Sequence, residues 1–150
     1  MKIGIDLGGS HIGIALINEN NVIVEKNEMD IEKRENIENE ILAVIDYYIN
    51  KFKQNNQIEL IGIASPGNPN NKDLCISNIV NLGIKKLDLS NIYHKYNIPI
   101  KLKNDSKSAG LAEFKYGSLK NIKMQYFYAW GLVLALQYFL TEIYCKQINM

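Results

Sequence analysis

Apolar and polar positions alternate with a period of two at the start of the chain. KIGIDLGG, HIGIALIN and VIVEKNEM are short β-rich runs separated by turn signals at Gly8 to Ser10 and at the Asn18 to Asn21 cluster. Their close spacing predicts three consecutive antiparallel strands. The period then changes. From Asn36 to Phe52 the apolar residues Ile37, Ile41, Val44, Ile45, Tyr48, Ile49 and Phe52 recur at helical spacing, with Glu38, Asn39 and Lys51 on other faces, which predicts an amphipathic helix. IELIGIAS follows as a nearly continuous apolar strand of the kind buried at the centre of a sheet, ending at the turn SPGNPN. A helix leading back into a buried strand implies a right-handed crossover. Asp88 to Tyr96 reads as a short helix stopping before Pro99, IPIKLKND as a strand carrying Asn104 and Asp105 at its end, and Ser106 to Tyr116 as a further helix. The fold class is α/β: a mixed sheet with three leading antiparallel strands, flanked by helices.

Composition narrows this little. At 150 residues the chain is of single-domain size, large enough for a core and short for a two-lobed enzyme. The 17 basic and 16 acidic residues are dispersed and leave a net charge of +1, so no electrostatic footprint for nucleic acid or anionic lipid is expected. Cys75 and Cys145 lack metal-ligand or CxxC spacing, which favours two reduced thiols in a cytoplasmic protein, and the start shows no signal peptide.

Three constellations could carry chemistry. In IDLGGSHIG, Gly8 and Gly9 can adopt positive φ and bring backbone N–H groups close to an anion, Ser10 can donate to a phosphate oxygen, and Asp6 at the strand end can hold Mg²⁺ or its water. Taken alone, a Gly-Gly-Ser turn is more often a plain hairpin with a capping serine. In IASPGNP, Pro66 stiffens a turn in which Gly67 can present its backbone to a polar ligand, and a simple strand-ending turn fits equally well. In KNDSKSAGLAE, Asp105 stands where a strand hands over to a helix; it could cap that helix, or accept the proton of an attacking hydroxyl, with Asn104 orienting neighbouring groups. Asn81, in NIVNLG, is a polar position after an apolar pair.

In this order and on these elements, the motifs resemble the N-terminal lobe of the ROK family (repressors, open reading frames and kinases), which includes bacterial glucokinases and fructokinases. The resemblance covers residues 1–120 and implies a ribonuclease H-like lobe of the actin and hexokinase type. It also implies ATP-dependent phosphorylation of a hexose. Asp6, Gly8, Gly9 and Ser10 would serve ATP and Mg²⁺, Gly67, Asn81 and Asn104 the sugar, and Asp105 would be the catalytic base. The family usually has Thr and Lys where Ser10 and His11 stand; His11 reads as an edge-strand surface residue and His94 as solvated helix surface. A family repressor would carry a helix-turn-helix region before the first phosphate motif, which does not fit this start. The parent family allows a homodimer.

Residues 121–150 depart from the family, where a second Gly-rich phosphate loop, a zinc segment and a second lobe would follow. The uncharged run from Met124 to Thr141 is 18 residues but contains Gln125, Gln137 and several tyrosines, so a membrane anchor would be marginal. A helical cap is one expectation. Another is a shift of reading frame: the codons of Trp130 to Phe139, read one base pair out of register, permit Gly-Thr-Gly-Ile-Gly-Ala-Ala-Val-Phe, the form of the expected phosphate loop. On this reading the chain is a truncated kinase without turnover; the alternative is a non-catalytic one-lobe sugar-binding or interaction module, for which the tail offers a means of membrane association.

Overall fold

The computed structural model describes residues 1–116, 124–129 and 135–140. It divides into two compact units, Met1–Asp105 and Ser106–Met150.

In the first unit the leading alternation becomes β1 (Lys2–Leu7), β2 (His11–Ile17) and β3 (Ile23–Asp30), each antiparallel to the next. Alternation buries one face: Ile3, Ile5, Leu7, Ile12, Ile14 and Leu16 all enter the core, while Gly4, Asp6 and Ala15 occupy the other side. α1 (Ile37–Lys53) places Ile37, Ile41, Ile45 and Ile49 on its buried stripe. Each such side chain contributes roughly 1.5–3 kcal/mol when fully buried. Glu38 and Glu40 near its start and Lys51 and Lys53 near its end complement the helix dipole.

β4 (Leu60–Ser65) then pairs parallel with β1, and the chain continues through β5 (Asn68–Asn70), β6 (Cys75–Ile79), a 3-10 turn at Val80–Leu82 and β7 (Ile84–Asp88). After α2 (Ser90–Tyr96), β8 (Ile100–Asn104) pairs parallel with β4. The main sheet has the order β3-β2-β1-β4-β8, so β4 is interior, as its continuous apolar run predicts. α2 is tied to α1 by Asp46, whose carboxylate accepts from Lys95 Nζ at 2.7 Å and from the Tyr96 hydroxyl at 2.8 Å. The Lys95 hydrogen bond holds the Asp46 carboxyl below its ordinary value, whereas burial raises the Tyr96 phenol. Just before α2, Asp88 accepts from the Ser90 hydroxyl and N–H, which lowers its pKa to about 2.

Two expectations are corrected here. The segment after Gly67 is not only a turn, since β5, β6 and β7 form a second, three-stranded antiparallel sheet. Pro69 is tolerated in β5 because that strand lies at the edge of its sheet. His11 is not on an edge strand: β2 lies between β1 and β3, and His11 is exposed because it opens the strand.

α3 (Asp105–Tyr116) begins at the last residue of the first unit and runs into the second, which also contains β9 (Met124–Ala129) and β10 (Ala135–Leu140), an antiparallel pair in which Ala129 meets Ala135 and Met124 meets Leu140. The helix expected in this tail is therefore a pair of strands over those residues. Tyr126, Phe127 and Tyr128 on one strand and Tyr138 and Phe139 on the other have the aromatic content that favours a pleated backbone. The expectations for the rest of residues 121–150, and for Cys145, lie outside the described residues. Cys75 is a buried free thiol, and none of the described helices is long and apolar enough to cross a membrane.

Candidate functional site

The parallel strands β1, β4 and β8 deliver the three motifs to one sheet edge. Asp6 is in register with Ala64, and Ala64 with Lys103; one step further Ser65 meets Asn104. The Gly8 to Ser10 turn, the Pro66-Gly67 turn and the Asn104-Asp105 junction thus all leave from the carboxyl ends of their strands, where open α/β sheets bind ligands. Two strand spacings separate β1 from β8, about 10 Å, enough for a small ligand between them.

The Gly8 to Ser10 turn is closed by the Gly8 N–H donating to the His11 carbonyl at 2.9 Å, while the Ser10 carbonyl accepts from Ile31 N–H at 2.9 Å. The Gly8 N–H is therefore already used within the turn. Those of Gly9 and Ser10 donate to no acceptor among the described residues. Neither Gly8 nor Gly9 takes a left-handed backbone, contrary to the expectation. Side chains pack closely on both of them. A Cβ on Gly8 would lie 2.9 Å from His11 Cε1, and one on Gly9 would lie 3.0 Å from Asn81 Nδ2.

Gly67 does take a left-handed backbone, at φ 96°, and a Cβ there would lie 2.5 Å from the Ser77 carbonyl oxygen. The close passage of β6 therefore accounts for this glycine without a ligand. Its carbonyl accepts from Asn104 Nδ2 at 3.4 Å, linking two of the residues expected at a sugar. Asn81 is exposed in the 3-10 turn that follows β6, and its carboxamide packs on Gly9. The structure thus joins the expected residues in two pairs, Gly9 with Asn81 and Gly67 with Asn104. Ser77 and Asn78, which flank Gly67, lead along the chain to Asn81.

Asp105 is half-buried and is the first residue of α3, at the same sheet edge as the Gly8 and Gly9 turn. Asp6 and Ser10 are exposed. Mg²⁺ in phosphate sites is typically held by one or two carboxylates, substrate phosphate and water. The exposed Asp6 carboxylate beside the turn fits that pattern, and among the described residues no cluster of three or more His, Cys, Asp or Glu offers a protein-only metal cage. On the face shared with Asp6, Lys26 donates to Glu28 at 2.5 Å and holds that carboxyl below its ordinary value, an effect to which His11 also contributes.

Sequence reasoning passed over two residues here. Ser65 is the single buried polar residue among those described, its hydroxyl donating to the Pro66 carbonyl at 2.9 Å and so stiffening the turn before Gly67. His11 is exposed, as expected of a surface residue, and its ring also lies near Gly8. For Ser65 the position at the end of a buried strand was a usable signal; the ring contact was not visible in the sequence.

The mixed sheet with its flanking helices, and the motifs gathered at its carboxyl edge, define an N-terminal lobe of the actin-like, hexokinase-type fold. The ROK family profile matches residues 2–130, and the chain belongs to that family. Among solved structures it is similar to a ROK family transcriptional regulator homologous to E. coli MLC (20% identity, TM-score 0.78, covering 92% of this chain and 36% of that one). It is similar also to a ROK family glucokinase from Streptomyces griseus in complex with glucose and AMPPNP (17%, TM-score 0.76, 93% and 44%). A third is a ROK hexokinase from Thermus thermophilus (20%, TM-score 0.68, 92% and 46%). The chain spans less than half the length of each of these proteins. No curated protein matches it.

Proposed function

We propose that this chain is the first lobe of a ROK sugar kinase which, when intact, transfers the γ-phosphate of ATP to a hexose hydroxyl. The observation that carries the reading is the convergence of Gly8 to Ser10, Gly67 and Asn104-Asp105 on one carboxyl edge, with Asn81 packed on the phosphate turn. A hexose between the β1 and β8 ends would meet the Asn81 and Asn104 carboxamides and the backbone of Gly67. Asp105 would accept the proton of the attacking hydroxyl as its oxygen bonds to the γ-phosphorus and the bond to the leaving ADP oxygen breaks. Asp6 would hold Mg²⁺, which supplies neutralisation of phosphate charge.

The chain alone should not turn over. Phosphoryl transfer depends on positioning and charge stabilisation by groups from both sides of a cleft, and the chain spans 44% of the length of the ROK glucokinase it is similar to. A coupled ADP-release assay over a panel of hexoses, beside calorimetry with sugar alone, tests this. The expected result is no turnover. Measurable turnover abolished by Asp105→Asn would overturn the inactivity and support Asp105 as base, whereas turnover unchanged by that substitution would remove Asp105 from its role. Sugar binding without turnover would equally suit a one-lobe sugar-binding module.

A further inference from the structure

We propose that Asn71 is a positioning residue for the sugar cleft: its carboxamide fixes the end of β8 and thereby the placement of Asn104 against Gly67. This rests on the sugar reading of those two residues given above. β8 is the outer strand of the main sheet, so beyond β4 it has no strand neighbour in that sheet among the described residues. Its backbone at Leu102 is paired on the outer side all the same. The Leu102 N–H donates to Asn71 Oδ1 at 2.8 Å, and Asn71 Nδ2 donates to the Leu102 carbonyl at 2.9 Å. A carboxamide offers an acceptor and a donor in one plane, as a peptide group does, so Asn71 stands in for the missing strand.

Asn71 is itself held in place. It follows β5 directly, in a turn where Asn70 Oδ1 accepts from the Lys72 and Asp73 N–H groups at 3.0 and 3.1 Å and Asn70 Nδ2 donates to Asp73 Oδ2 at 2.7 Å. The segment 67–71 therefore meets β8 in two places: at Leu102 through Asn71, and at Asn104 through the hydrogen bond that Asn104 Nδ2 donates to the Gly67 carbonyl. That second bond, at 3.4 Å, is long and constrains little by itself. The short pair at Leu102, two residues upstream, sets the distance between the Gly67 turn and the Asn104 carboxamide. Epimeric hexoses differ only in the direction of one hydroxyl. A displaced carboxamide therefore changes which epimer is preferred, whereas a smaller folded fraction weakens every epimer by the same factor.

The test measures, by calorimetry on the whole chain, the affinities for glucose and for its epimers at C-2, C-3 and C-4. Wild type, Asn71→Ala, Asn71→Asp, Asn104→Ala and the Asn71→Ala/Asn104→Ala double variant are compared, with Ile45→Val in the core of α1 as a control for lowered stability. Asn71→Ala should change at least one epimer ratio about five-fold, the size of one misplaced hydrogen bond. Asn71→Asp keeps the acceptor for the Leu102 N–H and loses the donor, so it should move the same ratio in the same direction; it carries the comparison if Asn71→Ala does not fold. Ile45→Val should leave every ratio as it is. In the Asn104→Ala background, Asn71→Ala should change no ratio further, because its effect passes through Asn104. Ratios unchanged by both Asn71 variants, or changed equally with and without Asn104, would overturn the positioning role and leave Gly67 and Asn104 as sugar residues. If none of the four hexoses binds the wild type, the sugar reading itself fails and the role of Asn71 falls with it.

Discussion

Replacing Gly67 with alanine puts the geometry of the candidate site to a quantitative test. Two separate penalties apply. At φ 96° the backbone lies in a region that L side chains rarely adopt, which costs about 1–2 kcal/mol. The new Cβ would also stand 2.5 Å from the Ser77 carbonyl oxygen, closer than the 3.0 Å limit that real Cβ contacts respect, so β6 or the turn must shift by at least 0.5 Å. The obstructing atom is backbone and cannot rotate aside; overpacking of this kind typically adds about 1–3 kcal/mol. The sum, roughly 2–5 kcal/mol, is a large fraction of the ~5–15 kcal/mol that holds a domain together. It should lower Tm by roughly 5–20 °C. Gly62→Ala is the matched control, because a Cβ there meets only the Ile3 carbonyl oxygen at 4.0 Å and the backbone is not left-handed. Denaturant and thermal unfolding followed by circular dichroism would measure both. A loss below about 0.5 kcal/mol for Gly67→Ala, or equal losses for the two variants, would refute the argument that β6 imposes this glycine.

Three further outcomes are expected. Gly9→Ala should displace the Asn81 carboxamide, 3.0 Å from the new methyl, and weaken sugar binding in calorimetry more than it lowers stability; an unchanged isotherm would uncouple the turn from Asn81. Ile45→Ala, at a fully buried position on α1, should cost about 2–5 kcal/mol in denaturant unfolding, and a loss under 1 kcal/mol would contradict its place in the core. Asp88 has a folded pKa of about 2, below its unfolded value. Its contribution is therefore complete above pH 4 or so and disappears as pH falls towards 2. With the carboxylate nearly half exposed the amount is small, about 0.5 kcal/mol. Asp88→Asn should make urea midpoints fall less steeply across that window, and identical slopes would exclude the effect.

The parts of the fold that rest on a repeating pattern were legible. β1, β2 and α1 each bury a regular set of isoleucines and leucines, and the period that marks them is the same period that packs them. β6 and β7 were missed because their patterns are interrupted: Asn78 takes a left-handed backbone at φ 57°, and Lys85 and Lys86 stand side by side in β7. The composition of the candidate site was legible from Gly-rich turns and the Asn-Asp pair. The reasons for its residues were not, since Asn81 packs on Gly9 and the Ser77 backbone imposes Gly67, contacts that no local pattern marks. The tail shows the opposite difficulty: its apolar residues suit either a helix or a strand, and its content of tyrosine and phenylalanine favours strands.

The unbroken row of Ile37, Ile41, Ile45 and Ile49 along α1 has a mechanical consequence. A β-branched side chain on a helix is confined almost entirely to one χ1 well by the preceding turn. α1 therefore offers the core a ridge with fixed teeth rather than a deformable one. It should tolerate displacement along its axis only in steps of a whole helical turn, so small strains arising at the sheet edge would pass through it instead of being absorbed.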